Sequence, residues 1–285
     1  MKARHIAFIL FIDLLWAINI VAIKESVAVI PPLLAVALRY VALLVACALH
    51  LRIVPGRMPL ILLTGLIAGA IQFGLGGYAF QVTTNLSALA IAGQLGVPLS
   101  LILAVVIDGE RIAWRRSAGI LLAVAGVMTL VFDPRIADER LGILLTFGAS
   151  FCWAVATLLF KRLSGIPVLT LYAWQAVVSI PLLLLASFWL EPGGVAALPH
   201  VPLGIFGWVV YSALAASLVG HAGLAWLVQR YPVTQITPYT LASPVMSVAV
   251  AAMWYGTPVT PLMWVGGAMT LAGVAIITLR TARKS

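Results

Sequence analysis

Apolar residues run through this chain in ten long stretches, at about 5–24, 33–51, 59–82, 86–107, 115–132, 141–162, 168–190, 202–229, 233–255 and 262–280. A helix needs roughly 20 apolar residues to cross the hydrocarbon of a bilayer. The pattern therefore predicts an all-α integral membrane protein with ten transmembrane helices. The longest connections, around Asp133 to Arg140 and Glu191 to His200, are too short for a soluble domain. Charges that interrupt an apolar run stand out. Asp13 falls near the middle of the first run, and at 100° per residue it shares a stripe with Trp16, Ile20 and Lys24. An ionised carboxylate there costs about 2.5–3.5 kcal/mol or more, so it should face the protein interior or a wet cavity. Arg39 begins about six residues into the second run, roughly 9 Å deep. The two form a candidate proton or charge network.

The runs repeat. Trp16-Ala17, with Lys24 eight residues after the Trp, recurs as Trp153-Ala154 with Lys161, a shift of 137 (153 − 16). Gly77-Tyr78-Ala79-Phe80 matches Gly223-Leu224-Ala225-Trp226, and Pro98 matches Pro244, both at 146. Gly119 and Gly126 match Gly266 and Gly273 at 147. Three anchors in one order predict a duplicated unit, with residues 1–136 as the first five-helix repeat and 137–285 as the second. Five is odd, so the second copy must enter the membrane inverted. The expected architecture is two inverted five-helix repeats around a central cavity, as in many secondary transporters.

Charge sets the orientation. With the N-terminus inside, the inner side holds Lys2, Arg4, Arg52, Arg57, Arg111, Arg115, Arg116, Lys161, Arg162, Arg230, Arg280, Arg283 and Lys284, against Lys24, Arg135 and Arg140 outside. Cytoplasmic loops retain Lys and Arg, so both termini are expected in the cytoplasm. Composition agrees: 63% of residues are hydrophobic, 9% are charged, and the mean hydropathy is +1.14. A soluble domain carries about 25% charged residues. The net charge of +9 is explained by topology, and no nucleic-acid partner is expected. The N-terminal stretch has the look of a signal peptide, but the Trp16 and Lys24 match to an internal segment predicts that it is retained. Cys47 and Cys152 lie within apolar runs and read as small core residues.

Polar and aromatic residues on the apolar helices are the candidate chemistry. The proposed substrate wall comprises Trp16, Asn19, Tyr78, Gln81, Gln94, Trp153, Trp174, Gln175, His221, Tyr239 and Thr240. Pro98 in the fourth run and Pro244 in the ninth, the latter beside Thr237, Thr240 and Ser247, predict bends and freed carbonyls. Helices 5 and 10, rich in small residues, read as packing struts or a homodimer surface; monomer and homodimer both stand. No Gly-rich phosphate loop, His-Glu-x-x-His, Cys-x-x-Cys or Gly-x-Ser-x-Gly occurs. Neither an enzyme, a metal site nor a cofactor is expected.

The paired Trp-Ala and Lys signatures, the Pro-bearing fourth and ninth helices, and the Asp108-Gly109-Glu110-Arg111 turn resemble the drug/metabolite transporter superfamily. Within it the chain is most similar to EamA-type exporters of the bacterial aromatic amino-acid (YddG-like) group. One departure is Tyr255-Gly256-Thr257, where an acidic turn is usual in the second repeat. The resemblance implies a bacterial inner-membrane exporter of amino acids or similar small metabolites, working by alternating access. A wall of Trp, Tyr, Gln and Ser/Thr suits a zwitterion or an uncharged ring compound better than a polyanion. The alternative is a multidrug or nucleobase-type carrier of the same fold, with Asp13 as cation partner. A membrane-embedded enzyme or an assembly subunit is the reading outside transport.

Overall fold

A computed structural model describes residues 1–108, 114–228, 230, 231, 236 and 239–281. Among these the chain is helical with no strand, and seven helices are long and apolar enough to cross a membrane. They are α1 (Ala3–Val29), α2 (Pro32–Cys47, extended by a 3₁₀ turn to His50), α3 (Met58–Val82), α4 (Leu86–Ile107), α6 (Arg140–Arg162), α7 (Val168–Leu190) and α8 (Leu203–His221, continuing as Ala222–Val228). Three shorter apolar helices join them: α5 (Trp114–Val131), α9 (Ala242–Tyr255) and α10 (Pro261–Thr281). The chain is a multi-pass membrane protein. Gly109, Glu110 and Arg111 of the acidic turn, Thr237, Arg283 and Lys284 lie outside the described residues.

Proline marks where several helices begin. Pro32, Pro59 and Pro261 occupy first-turn positions, where a missing N–H costs no intrahelical bond. Several of the orphan amides that remain are satisfied by side chains. The Glu191 carboxylate accepts from the N–H groups of Leu33 and Leu34 at the start of α2. Glu139 accepts from those of Thr84 and Asn85 ahead of α4, and Thr260 Oγ1 accepts from Met263 N in α10. A negative charge at a helix N-terminus also matches the macrodipole.

These contacts sort the helix ends into two groups. Lys24, near the end of α1, donates to the carbonyls of Phe80 and Thr83 at the end of α3. Glu25 accepts from Tyr255 at the end of α9. With Glu139 and Glu191 they define one side, called here the far side. On the near side, His5 meets Tyr231, Arg57 donates to the Arg162 carbonyl and Trp174 Nε1 donates to the Arg52 carbonyl.

Two packing features cross the middle of the chain. First, α5 and α10 pack backbone to backbone. A Cβ on Gly119 would lie 2.9 Å from the Gly273 carbonyl oxygen, and one on Gly126 would lie 2.5 Å from that of Gly266. Gly119 thus faces Gly273 while Gly126 faces Gly266, which is an antiparallel pairing. The small-residue faces read from the sequence as struts or a dimer surface are occupied by each other within one chain. Second, both α3 and α8 contain a π-helical stretch, Gly65–Ile71 and Ser212–His221. The second starts 147 residues after the first (212 − 65), the same offset as the glycine pairs. π-helical turns are rare and cluster at functional sites.

Candidate functional site

The π stretches build the site: the carbonyls of the first accept from α7, and Ser217 of the second meets α2. Gly69, in the first stretch, has no side chain, and a Cβ there would lie 2.0 Å from Ser179 Oγ and 2.9 Å from Gln175 Cγ of α7. That close approach lets Gln175 Nε2 donate to the Ala68 carbonyl (2.9 Å) and to Tyr40 OH (3.0 Å), and Ser179 Oγ donate to the Gly65 carbonyl (3.3 Å). In the second stretch Ser217 Oγ donates five residues back to the Ser212 carbonyl. The same oxygen accepts from Arg39 Nη2 of α2. His221 Nδ1 lies against the carbonyls of Ala216 (3.1 Å) and Ser217 (3.2 Å).

Arg39 is the centre of the arrangement. It is buried, with its guanidinium carbon 4.1 Å from the centroid of the Phe73 ring and 5.7 Å from that of Tyr40. A cation over an aromatic face is stabilised by about 2 kcal/mol when desolvated. Two cavities meet at Arg39 and Phe73. The near-side cavity is small, about 20 Å³, and lies among α2, α3, α6, α7 and α8, with Tyr40, Trp153, Tyr172, Gln175, Ser217 and His221 on its walls. The far-side cleft is larger, about 140 Å³, lined by Ile23 and Ser26 of α1, Val36 of α2, Gln72 and Gly76 of α3, and Ser212 of α8. The Arg39–Phe73 stack is the partition they share.

Of the residues expected at the substrate wall, Trp153, Gln175 and His221 come together here, with Arg39. Trp16 is one ring away. Its indole lies 5.3 Å from the His221 ring, and its Nε1 donates to the Ala216 carbonyl (3.0 Å). The others lie elsewhere. Tyr78 sits beside Glu191 at the far side, Gln81 is exposed there, and Trp174 is held at the near side by Arg52. Gln94 lines an apolar groove among α4, α9 and α10. Tyr239 packs against the Ile9 and Leu227 cluster, and Thr240 is half-buried just ahead of α9. Asn19 Oδ1 is buried without a hydrogen-bond partner among the described residues. Asp13 is fully buried, and neither carboxylate oxygen has a partner there. It makes no ion pair with Arg39, whose Nη2 is taken by Ser217. Tyr40, Phe73 and Tyr172 enter the site without having been expected, because an aromatic residue in an apolar run carries no signal separating cavity from lipid.

The chain resembles known bacterial transporters along its whole length. It is 29% identical to a probable amino-acid metabolite efflux pump of Salmonella typhimurium, over 97% of each chain. Identity to the Escherichia coli protein of the same description is also 29%, over 94% of this chain and 92% of that one. The aromatic amino acid exporter YddG of Salmonella typhimurium is 26% identical over 69% of this chain and 68% of its own. A solved crystal structure covers 99% of this chain and 100% of its own at a TM-score of 0.57 and 20% identity, a likeness of fold. The family model of EamA-like transporters matches twice, at residues 4–132 and again at 140–279. By these two matches, which together take in almost all of its residues, the chain belongs to the EamA-like transporter family.

Proposed function

We propose that this protein exports neutral or aromatic amino acids, or similar small metabolites, across the bacterial inner membrane by alternating access. Two five-helix halves, residues 1–136 and 137–285, lie inverted to one another as ten spans with both termini in the cytoplasm. The near side is then the cytoplasmic one. The repeated family match and the equally spaced π stretches support duplication, and the antiparallel Gly119–Gly273 and Gly126–Gly266 pairing supports inversion. The distribution of cations among the helix ends supports the orientation.

The observation that carries this reading is the pair of cavities meeting at Arg39 and Phe73, with walls contributed by both halves. A solute entering from the near side passes to the far-side cleft once the Arg39–Phe73 stack parts, and rocking of one half against the other supplies that motion. The near-side cavity holds only about 20 Å³, room for roughly one water, so the proposed amino-acid substrate enters as the helices part. The amino-acid descriptions of the relatives favour the same substrate class. Asp13 does not line either cavity, so the drug-cation alternative lacks its counter-charge at the site. Purified protein in proteoliposomes, assayed with a panel of labelled amino acids with and without a proton gradient, tests the proposal. Saturable flux of at least one is expected, and no flux above empty vesicles for any would refute it.

A further inference from the structure

We propose that Arg39 and Gln175 read the two charged ends of a zwitterion, the Arg39 guanidinium taking the α-carboxylate and the Gln175 side-chain carbonyl the α-ammonium. This rests on the transport reading above and narrows it to substrates carrying both groups.

Arg39 is 7% exposed, and its Nε has no hydrogen-bond partner among the described residues. Its charge faces Phe73, Tyr40 and Ser217, and no carboxylate pairs with it among the described residues. The acids at the far side are engaged elsewhere: Glu25 by Tyr255, Glu139 by Thr84 and Asn85, Glu191 by Leu33 and Leu34. Charged side chains within a membrane normally pair with one another or with carbonyls. A guanidinium also presents a planar fork that fits a carboxylate in two parallel bonds. An anion arriving in the cavity is the partner this group lacks.

Gln175 is 5% exposed and carries the complementary vacancy. Its amide orientation is fixed by chemistry, because the Ala68 carbonyl can only accept and so must face the NH₂ group. Its Oε1 is therefore held as an acceptor and has no donor among the described residues. Buried polar groups are normally satisfied. A carboxylate alone would answer Arg39 and leave Gln175 Oε1 bare, whereas an ammonium beside that carboxylate answers both. The rings of Tyr40, Tyr172 and Trp153 on the same walls can face the ammonium as well.

The test uses three probes that share one ring: L-phenylalanine, phenylalaninamide without the carboxylate, and 3-phenylpropionate without the ammonium. Each is measured on wild-type protein, as a shift in thermal unfolding and as a competitor of labelled amino-acid flux. Phenylalanine is expected to compete at least about tenfold better than either analogue, the effect of leaving one buried charged partner unanswered. In Arg39→Gln the preference over phenylalaninamide should collapse to within about threefold. In Gln175→Met the preference over 3-phenylpropionate should do so. The wild-type series decides even where a variant fails to fold. Amino-acid flux with both analogues competing as well as phenylalanine would overturn the head-group assignment while leaving the transport reading intact. Absence of all amino-acid flux would instead remove the transport reading.

Discussion

Replacing Gly69 by Ala should damage stability and transport together, by an amount set by the α3–α7 contact. The new Cβ would sit 2.0 Å from Ser179 Oγ and 2.9 Å from Gln175 Cγ, where ordinary contact begins at 3.4 Å. Ser179 can turn away, but it then loses its bond to the Gly65 carbonyl, a loss of about 1 kcal/mol. The remaining overlap with Gln175 pushes the helices apart, and overpacking of this kind costs about 1–3 kcal/mol. The expected destabilisation is therefore about 2–4 kcal/mol, read as a fall in Tm of roughly 5–10 °C. Unfolding can be followed with a thiol-reactive dye, since Cys47 is fully buried and free. Transport should fall further than stability explains, because the displaced side chain is Gln175 on the cavity wall. The paired variant Gly69→Ala with Ser179→Ala removes the 2.0 Å overlap and should recover part of the loss, so the two changes couple by about 1 kcal/mol. A Gly69→Ala protein that melts and transports like wild type would refute the reasoning.

Other outcomes follow from the same contacts. Gly273→Ala places a Cβ 2.5 Å from the Gly119 carbonyl oxygen and 2.6 Å from Ala123 N, backbone atoms that cannot rotate away. It should cost about 1–3 kcal/mol in the same melt, while Gly204→Ala, with nothing within 4 Å, should leave stability at or slightly above wild type. Glu139→Ala strips the acceptor from the Thr84 and Asn85 amides and should lower stability by about 2–3 kcal/mol. Its isostere Glu139→Gln should lose less, which a side-by-side melt would show. Asp13→Asn should leave amino-acid affinity within about twofold, because the side chain lies off both cavities. Any dependence of flux on an imposed proton gradient should change in that variant, measured in proteoliposomes at two internal pH values. Trp16→Phe removes the bond to the Ala216 carbonyl and should cost about 1 kcal/mol of stability.

What could be read from the sequence, and what could not, divides along physical lines. The glycine spacing was legible because Gly119, Gly126, Gly266 and Gly273 sit where a Cβ would collide with a facing backbone, and such positions tolerate little else. Gln175, His221 and Arg39 were legible as polar groups in runs that lipid would otherwise exclude. Tyr78, Gln81 and Trp174 gave the same signal for a different reason. They lie near helix ends, where polar and amphipathic side chains meet the interface, and a linear sequence does not give depth precisely enough to separate the two. The π stretches were invisible, since periodicity arguments assume 3.6 residues per turn. Ser217 shows the consequence: its bond to Ser212 five residues back exists only because the helix widens there, and that widening turns Ser217 toward Arg39.

Alternating access through the Arg39–Phe73 partition is tested most directly by labelling from both sides of the membrane. Gln72→Cys lies on the far-side cleft and Phe160→Cys on the near-side cavity, each introduced in a background lacking Cys47 and Cys152. With a membrane-impermeant thiol reagent, added substrate should change the reactivity of the two positions in opposite directions, one closing as the other opens. Reactivities that rise and fall together, or that do not respond to substrate at all, would contradict the account.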